Sequence, residues 1–211
     1  EALRVAGVLD VLSHENRLWM ADDDSLYRDD AAPEDGAPFR PVFDARILFS
    51  GQPVALVMAD DWETARFAAS LVRVAYEAEP FNTDLDAGRH RAFVVPKPEK
   101  PRGDADRAFA AAPVRHEAEY FIPRENHNPM EPFAATVMWE GGGKLAVYDK
   151  TQGVQNVQRY LCNVFGLPLD DVRVVSPYMG GGFGSGLRPQ FQVVLAALAA
   201  KALQRSVRVV L

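Results

Sequence analysis

The residues of this sequence best suited to chemistry form a glycine-rich segment at residues 180–186. Five of its seven residues are glycine, and only Phe183 and Ser185 interrupt them. Because glycine adopts positive φ angles and has no side chain, such a segment lets another molecule approach its backbone amides. A β-branched run at residues 172–175 precedes it, and an Ala/Leu-rich run at residues 190–203 follows it. This order of strand, loop and helix favours binding of an oxyanion or another strong hydrogen-bond acceptor.

Three familiar loop patterns do not fit this segment. The dinucleotide-binding pattern needs glycines at positions i, i+2 and i+5, and no glycine from position 180 to 184 starts such a series. The phosphate-loop pattern ends in Gly-Lys-Ser/Thr, but no lysine lies between Lys150 and Lys201. A serine nucleophile in Gly-x-Ser-x-Gly needs glycines two residues either side of Ser185, where Phe183 and Leu187 stand. The residues alone leave three alternatives: a ligand-free turn, a structural interaction domain, and a non-catalytic α/β module that binds a phosphate-bearing ligand at this loop.

The sequence does not predict a metal ion held by side chains. His127 and Glu131 are four residues apart, but Pro129 and Pro132 oppose the helix that would bring them to one face. We expect His127 to be a hydrogen-bonded loop residue and Glu131 to be a structural acceptor for buried N–H groups. The single cysteine, Cys162, excludes an intrachain disulfide or an iron–sulfur cluster held by this chain alone, and is expected to lie in the core.

The composition indicates an acidic globular protein. With 211 residues and 48% hydrophobic content, the chain can build a substantial core. A net charge of -6 argues against a nucleic-acid-binding surface. No run approaches the roughly 18 apolar residues of a membrane span. The sequence starts at Glu1 without methionine and stops at Leu211 inside a β-branched run, so we expect it to be a piece of a longer protein.

The first 82 residues predict a small α/β domain. Apolar runs at residues 44–49 and 53–59 suit either a buried pair of strands or a loop that leads into one strand, and the stretch after Gly7 is typical of a short strand. Asp60 and Asp61 can cap a helix with apolar positions at three- and four-residue steps, and residues 72–76 are expected to be extended. The acidic residues 21–41 predict a solvated loop. Residues 83–113 contain Pro96, Pro98 and Pro101 among mixed charges and predict an exposed, extended linker.

A second α/β domain is predicted over residues 114–211. Residues 116–122 are expected to form a strand, and residues 134–140 and 144–149 a hairpin around three glycines. A helix over residues 154–165 should end at Gly166, with Pro168 beyond it. Strands at residues 172–175 and 206–211, with a helix over residues 190–203 between them, complete a fold of the α/β (α+β) class.

Three motifs of this second domain give a specific resemblance. They are Asn126-His-Asn-Pro-Met-Glu-Pro132, Tyr148-Asp-Lys-Thr-Gln-Gly-Val154 and Met179-Gly-Gly-Gly-Phe-Gly184. Together they resemble the molybdenum-binding subunit of the xanthine dehydrogenase and aldehyde oxidase family, of the bacterial isoquinoline oxidoreductase and periplasmic aldehyde oxidoreductase type. Ile47-Leu-Phe-Ser-Gly-Gln-Pro-Val-Ala-Leu-Val57 and the helix after it resemble the hammerhead domain of the same family. The resemblance therefore implies a hammerhead-like domain followed by the first part of a molybdenum cofactor-binding domain.

The resemblance implies cofactor-binding roles for Gln152, Gly182, Phe183 and Gly184. In this family the metal is held by the two sulfurs of a pterin, here molybdopterin in its plain or cytosine dinucleotide form. Gln152 would then hydrogen-bond an oxygen ligand of the molybdenum, and the backbone at positions 182–184 would pack against the metal's ligands. The residues alone leave two alternatives open, in which Gln152 satisfies the turn at residues 149–153 and Phe183 covers the core.

The implied reaction is hydroxylation of an aldehyde or N-heterocycle with oxygen from water. Electrons would leave through iron–sulfur and FAD groups on partner subunits, in either the cytoplasm or the periplasm. The general-base glutamate lies far toward the C-terminus in this family, so no catalytic residue is expected here, and the isolated chain should be inactive and without cofactor. Leu187 stands where xanthine-converting members have a purine-binding glutamate, which argues against a purine substrate. Gly186 stands where many relatives have lysine.

Overall fold

The computed structural model describes residues 1–23, 27, 39–93 and 102–211. Their packing forms two compact units, one of residues 1–73 and 126–211 and the other of residues 74–125. Most of the predicted acidic loop at residues 21–41, and residues 94–101 of the predicted linker, lie outside the described residues. Helices, a two-stranded sheet and a four-stranded sheet occur together, which confirms the predicted mixed fold class.

The first unit begins with a two-stranded sheet and a helix. A 3-10 turn at Ala2–Arg4 leads into β1 (Val8–Ser13), which pairs antiparallel with β2 (Ala55–Ala59). Helix α1 (Trp62–Ser70) follows at once. Its predicted cap is confirmed, because the Asp61 carboxylate accepts a 2.7 Å hydrogen bond from the Thr64 N–H. That bond satisfies one of the amides that lack a partner within the helix, and holds the pKa of Asp61 below its usual value.

Residues 44–49 belong to a loop that leads into the single strand β2, so the alternative of a loop before one strand is confirmed and that of a buried strand pair is wrong. No strand forms there, and the side chains of Ile47, Leu48 and Phe49 are exposed. The Gln52 carboxamide accepts from the Leu48 N–H and donates to the Arg46 carbonyl, both at 2.7 Å. Because this side chain takes backbone groups that a strand would use for pairing, the segment closes into a loop. Residues 72–76, predicted to be extended, join neither sheet.

The second unit contains little regular structure. It has two short helices, α2 (Leu85–Gly88) and α3 (Ala105–Ala111), each capped by the side chain of a preceding aspartate. These helices correct the expectation that the described parts of residues 83–113 are extended throughout. The strand predicted at residues 116–122 is wrong, since this segment pairs with no strand among the described residues and Tyr120, Phe121 and Ile122 are largely exposed. Alternation of polar and apolar residues specifies the faces of a strand but does not supply its partner.

A four-stranded sheet forms the centre of the first unit. Its strands are β3 (Ala134–Trp139), β4 (Leu145–Asp149), β5 (Val172–Val175) and β6 (Val207–Val210), in the spatial order β5-β4-β3-β6. Strands β3 and β4 form the predicted antiparallel hairpin, and β6 joins the other edge of β3 antiparallel. Strands β4 and β5 are parallel, so the chain crosses over between them through a helix. Strand β4 is buried except at Tyr148, as suits an inner strand.

Two helices cover the core of this unit. Helix α4 (Val154–Phe165) makes the crossover from β4 to β5, and Gly166 ends it in the left-handed conformation at φ 62°, as predicted. Helix α5 (Phe191–Leu203) is fully buried along much of its length and packs against β3 and β6. Cys162 lies buried on α4, which confirms its predicted place in the core. No helix among the described residues is long and apolar enough to cross a bilayer.

Candidate functional site

The glycine-rich loop connects β5 to α5 and has three residues with positive φ. Gly181 (91°), Phe183 (54°) and Gly184 (98°) all lie in the half of backbone space that suits glycine. A tight turn forms within the loop, where the carbonyl of Gly182 accepts from the Ser185 N–H at 2.9 Å and from the Ser185 hydroxyl at 2.6 Å. Phe183 therefore sits at the tip of a turn in a conformation that costs a side-chain-bearing residue about 1 kcal/mol or more.

The Gln152 carboxamide holds the second half of this loop. Its Oε1 accepts from the Gly184 N–H at 3.1 Å and from the Gly186 N–H at 3.2 Å, while its backbone N–H donates to the Gly186 carbonyl at 2.8 Å. Since both side-chain partners are donors, the atom facing them must be the carbonyl oxygen. Within the part of the chain that the structure describes, the Nε2 donor makes no hydrogen bond.

The alternative in which Gln152 satisfies its own turn is wrong. The Thr151 hydroxyl has that role, because its Oγ1 accepts from the Gly153 N–H at 3.0 Å and donates to the Gly186 carbonyl at 3.1 Å. The side chains of both Thr151 and Gln152 thus reach the glycine loop more than 30 residues along the chain. This leaves the Nε2 of Gln152 available to a ligand.

Three consecutive backbone amides in the loop also lack an acceptor. Among the described residues, the N–H groups of Gly181, Gly182 and Phe183 make no hydrogen bond. Successive amides of this kind form a concave donor site for an anion or an oxygen acceptor. The Phe183 side chain is 73% exposed, so the alternative in which it covers the core is wrong.

Some glycines of the loop are required because neighbouring atoms leave no room for a Cβ, and others because their φ angle is positive. A Cβ atom at Gly182 would lie 2.7 Å from both Gln152 Cδ and Met179 Cε. At Gly180 it would lie 2.7 Å from Glu131 Cβ, and at Gly186 it would lie 3.0 Å from Met179 Cε. Real Cβ atoms do not approach other atoms within 3.0 Å, so a side chain at Gly180 or Gly182 would displace the residues that hold the loop.

Glu131 binds the first residue of the loop, which confirms its predicted role as a hydrogen-bond acceptor, but the donor residue Gly180 is exposed, so the predicted burial of the donor is wrong. Its Oε2 accepts from the Gly180 N–H at 2.6 Å, and its own N–H donates to the Gly180 carbonyl at 3.3 Å. His127 lies nearby, with Nε2 3.7 Å from the position of a Cβ at Gly184. It is exposed and makes no hydrogen bond to any described residue, so its predicted hydrogen bonding is wrong there. In the described part of the chain, no three His, Cys, Asp or Glu side chains cluster to hold a metal.

Sequence reasoning missed a buried polar pair beneath this site. Asp149, at the end of β4, is 5% exposed and accepts a 3.1 Å hydrogen bond from Nε2 of the fully buried Gln192 on α5. Burial raises the pKa of Asp149 to about 6. The Oε1 of Gln192 is buried and has no hydrogen-bond partner among the residues that the structure describes. A glutamine inside an otherwise apolar helical run was the available sign of this pair.

Both halves of the chain match models of known domains. Residues 1–80 match the a/b hammerhead domain of aldehyde oxidase and xanthine dehydrogenase, and residues 87–211 match the molybdopterin cofactor-binding domain. The solved aldehyde oxidoreductase of Desulfovibrio gigas aligns with all of this chain at a TM-score of 0.77 and 28% identity, over 24% of its own length. Quinoline 2-oxidoreductase of Pseudomonas putida 86 has the same fold, with a TM-score of 0.77 at 24% identity, over 28% of its length.

Curated proteins give the same result. The aldehyde oxidoreductase molybdenum-binding subunit PaoC of Escherichia coli K12 is 38% identical over 162 residues, which cover 76% of this chain and 22% of that protein. Aldehyde oxidase 4 of Arabidopsis thaliana is 32% identical over 177 residues, which cover 77% of this chain and 13% of that protein. The chain thus spans about a fifth or less of the length of these relatives.

Proposed function

The chain belongs to the aldehyde oxidase and xanthine dehydrogenase family of molybdopterin-binding proteins, and on that premise we propose that it is part of a molybdenum hydroxylase. The enzyme oxidises aldehydes or N-heterocycles, takes the oxygen atom from water, and passes the electrons to iron–sulfur and flavin groups on partner subunits. The observation that carries this proposal is the set of unused donors around the glycine loop. The amides of Gly181, Gly182 and Phe183 and the Nε2 of Gln152 lack acceptors among the described residues.

These donors fit a molybdenum–pterin cofactor. Oxygen ligands of the metal and the polar groups of the pterin are acceptors, and an amide or carboxamide donates to them without adding a charge. Gly182 allows a group to approach the loop closely because no Cβ is in the way. Gly184 contributes through its place in the turn, since its own N–H is already used by Gln152. When bound, the cofactor supplies the two-electron redox centre for hydroxylation of a substrate carbon.

The residues of this chain bind and orient the cofactor but hold no base for the reaction. Gln152 fixes the loop through Oε1 and presents Nε2 to the ligand. One side chain therefore holds the loop in shape and also donates a hydrogen bond to the cofactor. The Phe183 ring is exposed at the tip of the turn and can pack against the ligand sphere of the metal. We place the general-base glutamate further along the polypeptide, so the 211-residue chain alone is inactive and without cofactor.

Two features bear on the substrate. Leu187 is 48% exposed next to the turn and presents an apolar surface where a purine-binding glutamate would stand. Two relatives that are 38% identical to this chain are named as aldehyde oxidoreductase molybdenum-binding subunits. We therefore propose an aldehyde or an N-heterocycle other than a purine.

Elemental analysis of the full-length protein tests the proposal. The protein is purified from its native host with any partners that co-purify, and molybdenum and the fluorescence of the oxidised pterin are measured. Near-equal amounts of molybdenum, pterin and protein are expected. Absence of both, in a host that loads other molybdenum enzymes, would refute the function and would favour the phosphate-binding alternative, which titration with nucleotides and sugar phosphates then tests.

Two variants of Gln152 separate its two contacts. Gln152→Glu keeps an oxygen acceptor for Gly184 and Gly186 but removes the Nε2 donor, whereas Gln152→Ala removes both. We expect the glutamate variant to keep the loop's protection from hydrogen exchange and to lose at least about tenfold in kcat/KM, because a positioned donor is missing. The alanine variant should lose the loop's protection from exchange as well as kcat/KM. Gln155→Glu, on the exposed first turn of α4, is the matched control and should change neither. Unchanged kcat/KM in Gln152→Glu would refute the donor role.

A further inference from the structure

The glycine loop is anchored at its first residue by a carboxylate from an earlier part of the chain. Glu131 makes two hydrogen bonds to Gly180, one through its side chain at 2.6 Å and one through its own N–H at 3.3 Å. A bond from an amide to a carboxylate is charge-assisted and stronger than a bond between neutral groups. Because Gly180 has no Cβ, the Glu131 side chain can lie directly against it.

The backbone of Glu131 is in turn held by the side chain of Lys150. The Lys150 ammonium donates to the Glu131 carbonyl and sits 4.3 Å above the centre of the Phe133 ring. Lys150 is only 5% exposed, and its backbone N–H is bonded to the Ala134 carbonyl at the start of β3. The sheet therefore positions Lys150, Lys150 positions Glu131, and Glu131 positions Gly180.

This anchor and Gln152 bracket the three free amides. Glu131 fixes residue 180 and Gln152 fixes residues 184 and 186, so the intervening N–H groups of residues 181–183 are presented between two fixed points. A loop held at one end only would lose this arrangement, since glycines have a large conformational freedom. The position of a donor decides its contribution to ligand binding, and displacements of about 1 Å reduce it strongly.

We infer that Glu131, supported by Lys150, is a positioning residue that sets the glycine loop for cofactor binding. It acts through Gly180 and touches neither cofactor nor substrate. The inference rests on the proposed function for the identity of the ligand, whereas its structural half, the fixing of residue 180, stands without it. It predicts that cofactor loading depends on a carboxylate that is not a ligand.

The test compares Glu131→Ala, Glu131→Gln and Lys150→Met in the full-length protein with its partners. Molybdenum and pterin per protein are measured, together with hydrogen exchange at the Gly180 amide from millisecond labelling times. Glu131→Ala should speed exchange at Gly180 about tenfold and lower the molybdenum and pterin content severalfold, because the charge-assisted bond is lost. Glu131→Gln, whose side-chain oxygen still accepts from Gly180, should keep most of the protection of the Gly180 amide and most of the molybdenum and pterin content. Lys150→Met should shift both in the same direction by less.

Glu125→Ala, which removes an exposed carboxylate six residues earlier in the sequence, is the control and should match the wild type in both measurements. Circular dichroism shows whether each variant folds, and the partial rescue by Glu131→Gln distinguishes positioning from general loss of stability. Full cofactor content with unchanged Gly180 exchange in Glu131→Ala would overturn the inference. If the wild-type protein itself contains no molybdenum or pterin, the proposed function fails, and Gly180 exchange still decides whether Glu131 fixes the loop.

Discussion

Replacing Asp149 with asparagine should stabilise the protein at neutral pH. The carboxyl group of Asp149 is buried at the end of β4, and its pKa is raised to about 6 mainly because burial disfavours its charged form. Its Oδ1 accepts a 3.1 Å hydrogen bond from Gln192 Nε2, while Oε1 of Gln192 has no partner in the described part of the chain. Asparagine keeps an oxygen for that bond, removes the charge, and adds an amide donor of the kind that Oε1 lacks.

The size of the effect follows from the pKa of Asp149. A change from the ordinary value of 3.8 to about 6 corresponds to at most about 3 kcal/mol. Because the pKa is raised on folding, the folded state binds more protons than the unfolded state between these two values. The contribution of Asp149 to the free energy of unfolding is therefore most favourable below pH 3.8 and is lost as pH rises through about 6. The gain in Asp149→Asn should be about 3 kcal/mol at pH 8 and about 1 kcal/mol at pH 4.5.

Hydrogen exchange of the full-length protein measures this gain locally. The exchange rates of amides in β4 and α5 are compared between Asp149→Asn and wild type at each pH, so the intrinsic pH dependence of exchange cancels. At pH 8 the variant should exchange up to about 100-fold more slowly, and at pH 4.5 about fivefold more slowly. Asp170→Asn removes an exposed carboxylate and should change these rates little at either pH. A gain that is absent at pH 8, or equal at the two pH values, would show that desolvation of Asp149 is not the cause.

Three further substitutions test the backbone of the site and of helix α4. Gly182→Ala should displace the Gln152 carboxamide, 2.7 Å from the new Cβ, and hydrogen exchange at the end of the loop should speed up about tenfold. Phe183→Gly relieves the strain of a φ of 54° and removes a largely exposed ring. The thermal unfolding temperature should therefore stay unchanged or rise by the equivalent of about 1 kcal/mol. A lower unfolding temperature would mean that the ring stabilises the fold. Gly166→Ala should lower the free energy of unfolding by about 1 to 2 kcal/mol, because φ at this position is 62° and Trp19 Cζ3 lies 3.2 Å from the new Cβ. An unchanged midpoint of denaturant unfolding would contradict this.

Elements with local sequence signals could be predicted from the sequence. The β3–β4 hairpin has alternating residues around three glycines, and α4 has an amphipathic pattern that Gly166 ends. Both form where they were predicted, because the information that specifies them lies within about fifteen residues. The predicted domain limits at residues 82 and 113 stay predictions.

Segments whose structure depends on which partner takes their backbone hydrogen bonds could not be predicted in this way. Residues 116–122 alternate like a strand but pair with none in the described chain. Residues 44–49 are apolar enough for a strand, yet Gln52 binds their backbone through its side chain. In the second case a side chain competes with a strand for backbone hydrogen bonds, and composition does not reveal which partner is preferred.

The candidate site shows the same division. The glycine loop is visible in the sequence because its composition is extreme, but the reason for each glycine is not. Gly180 is needed where Glu131 contacts it, and Gly182 where Gln152 does, so two glycines are explained by side chains that lie 49 and 30 residues earlier in the chain. The density of glycines therefore reports on the packing of the loop as well as on ligand approach. A search for glycine-rich motifs alone would miss Glu131, whose contact with Gly180 only the fold brings about.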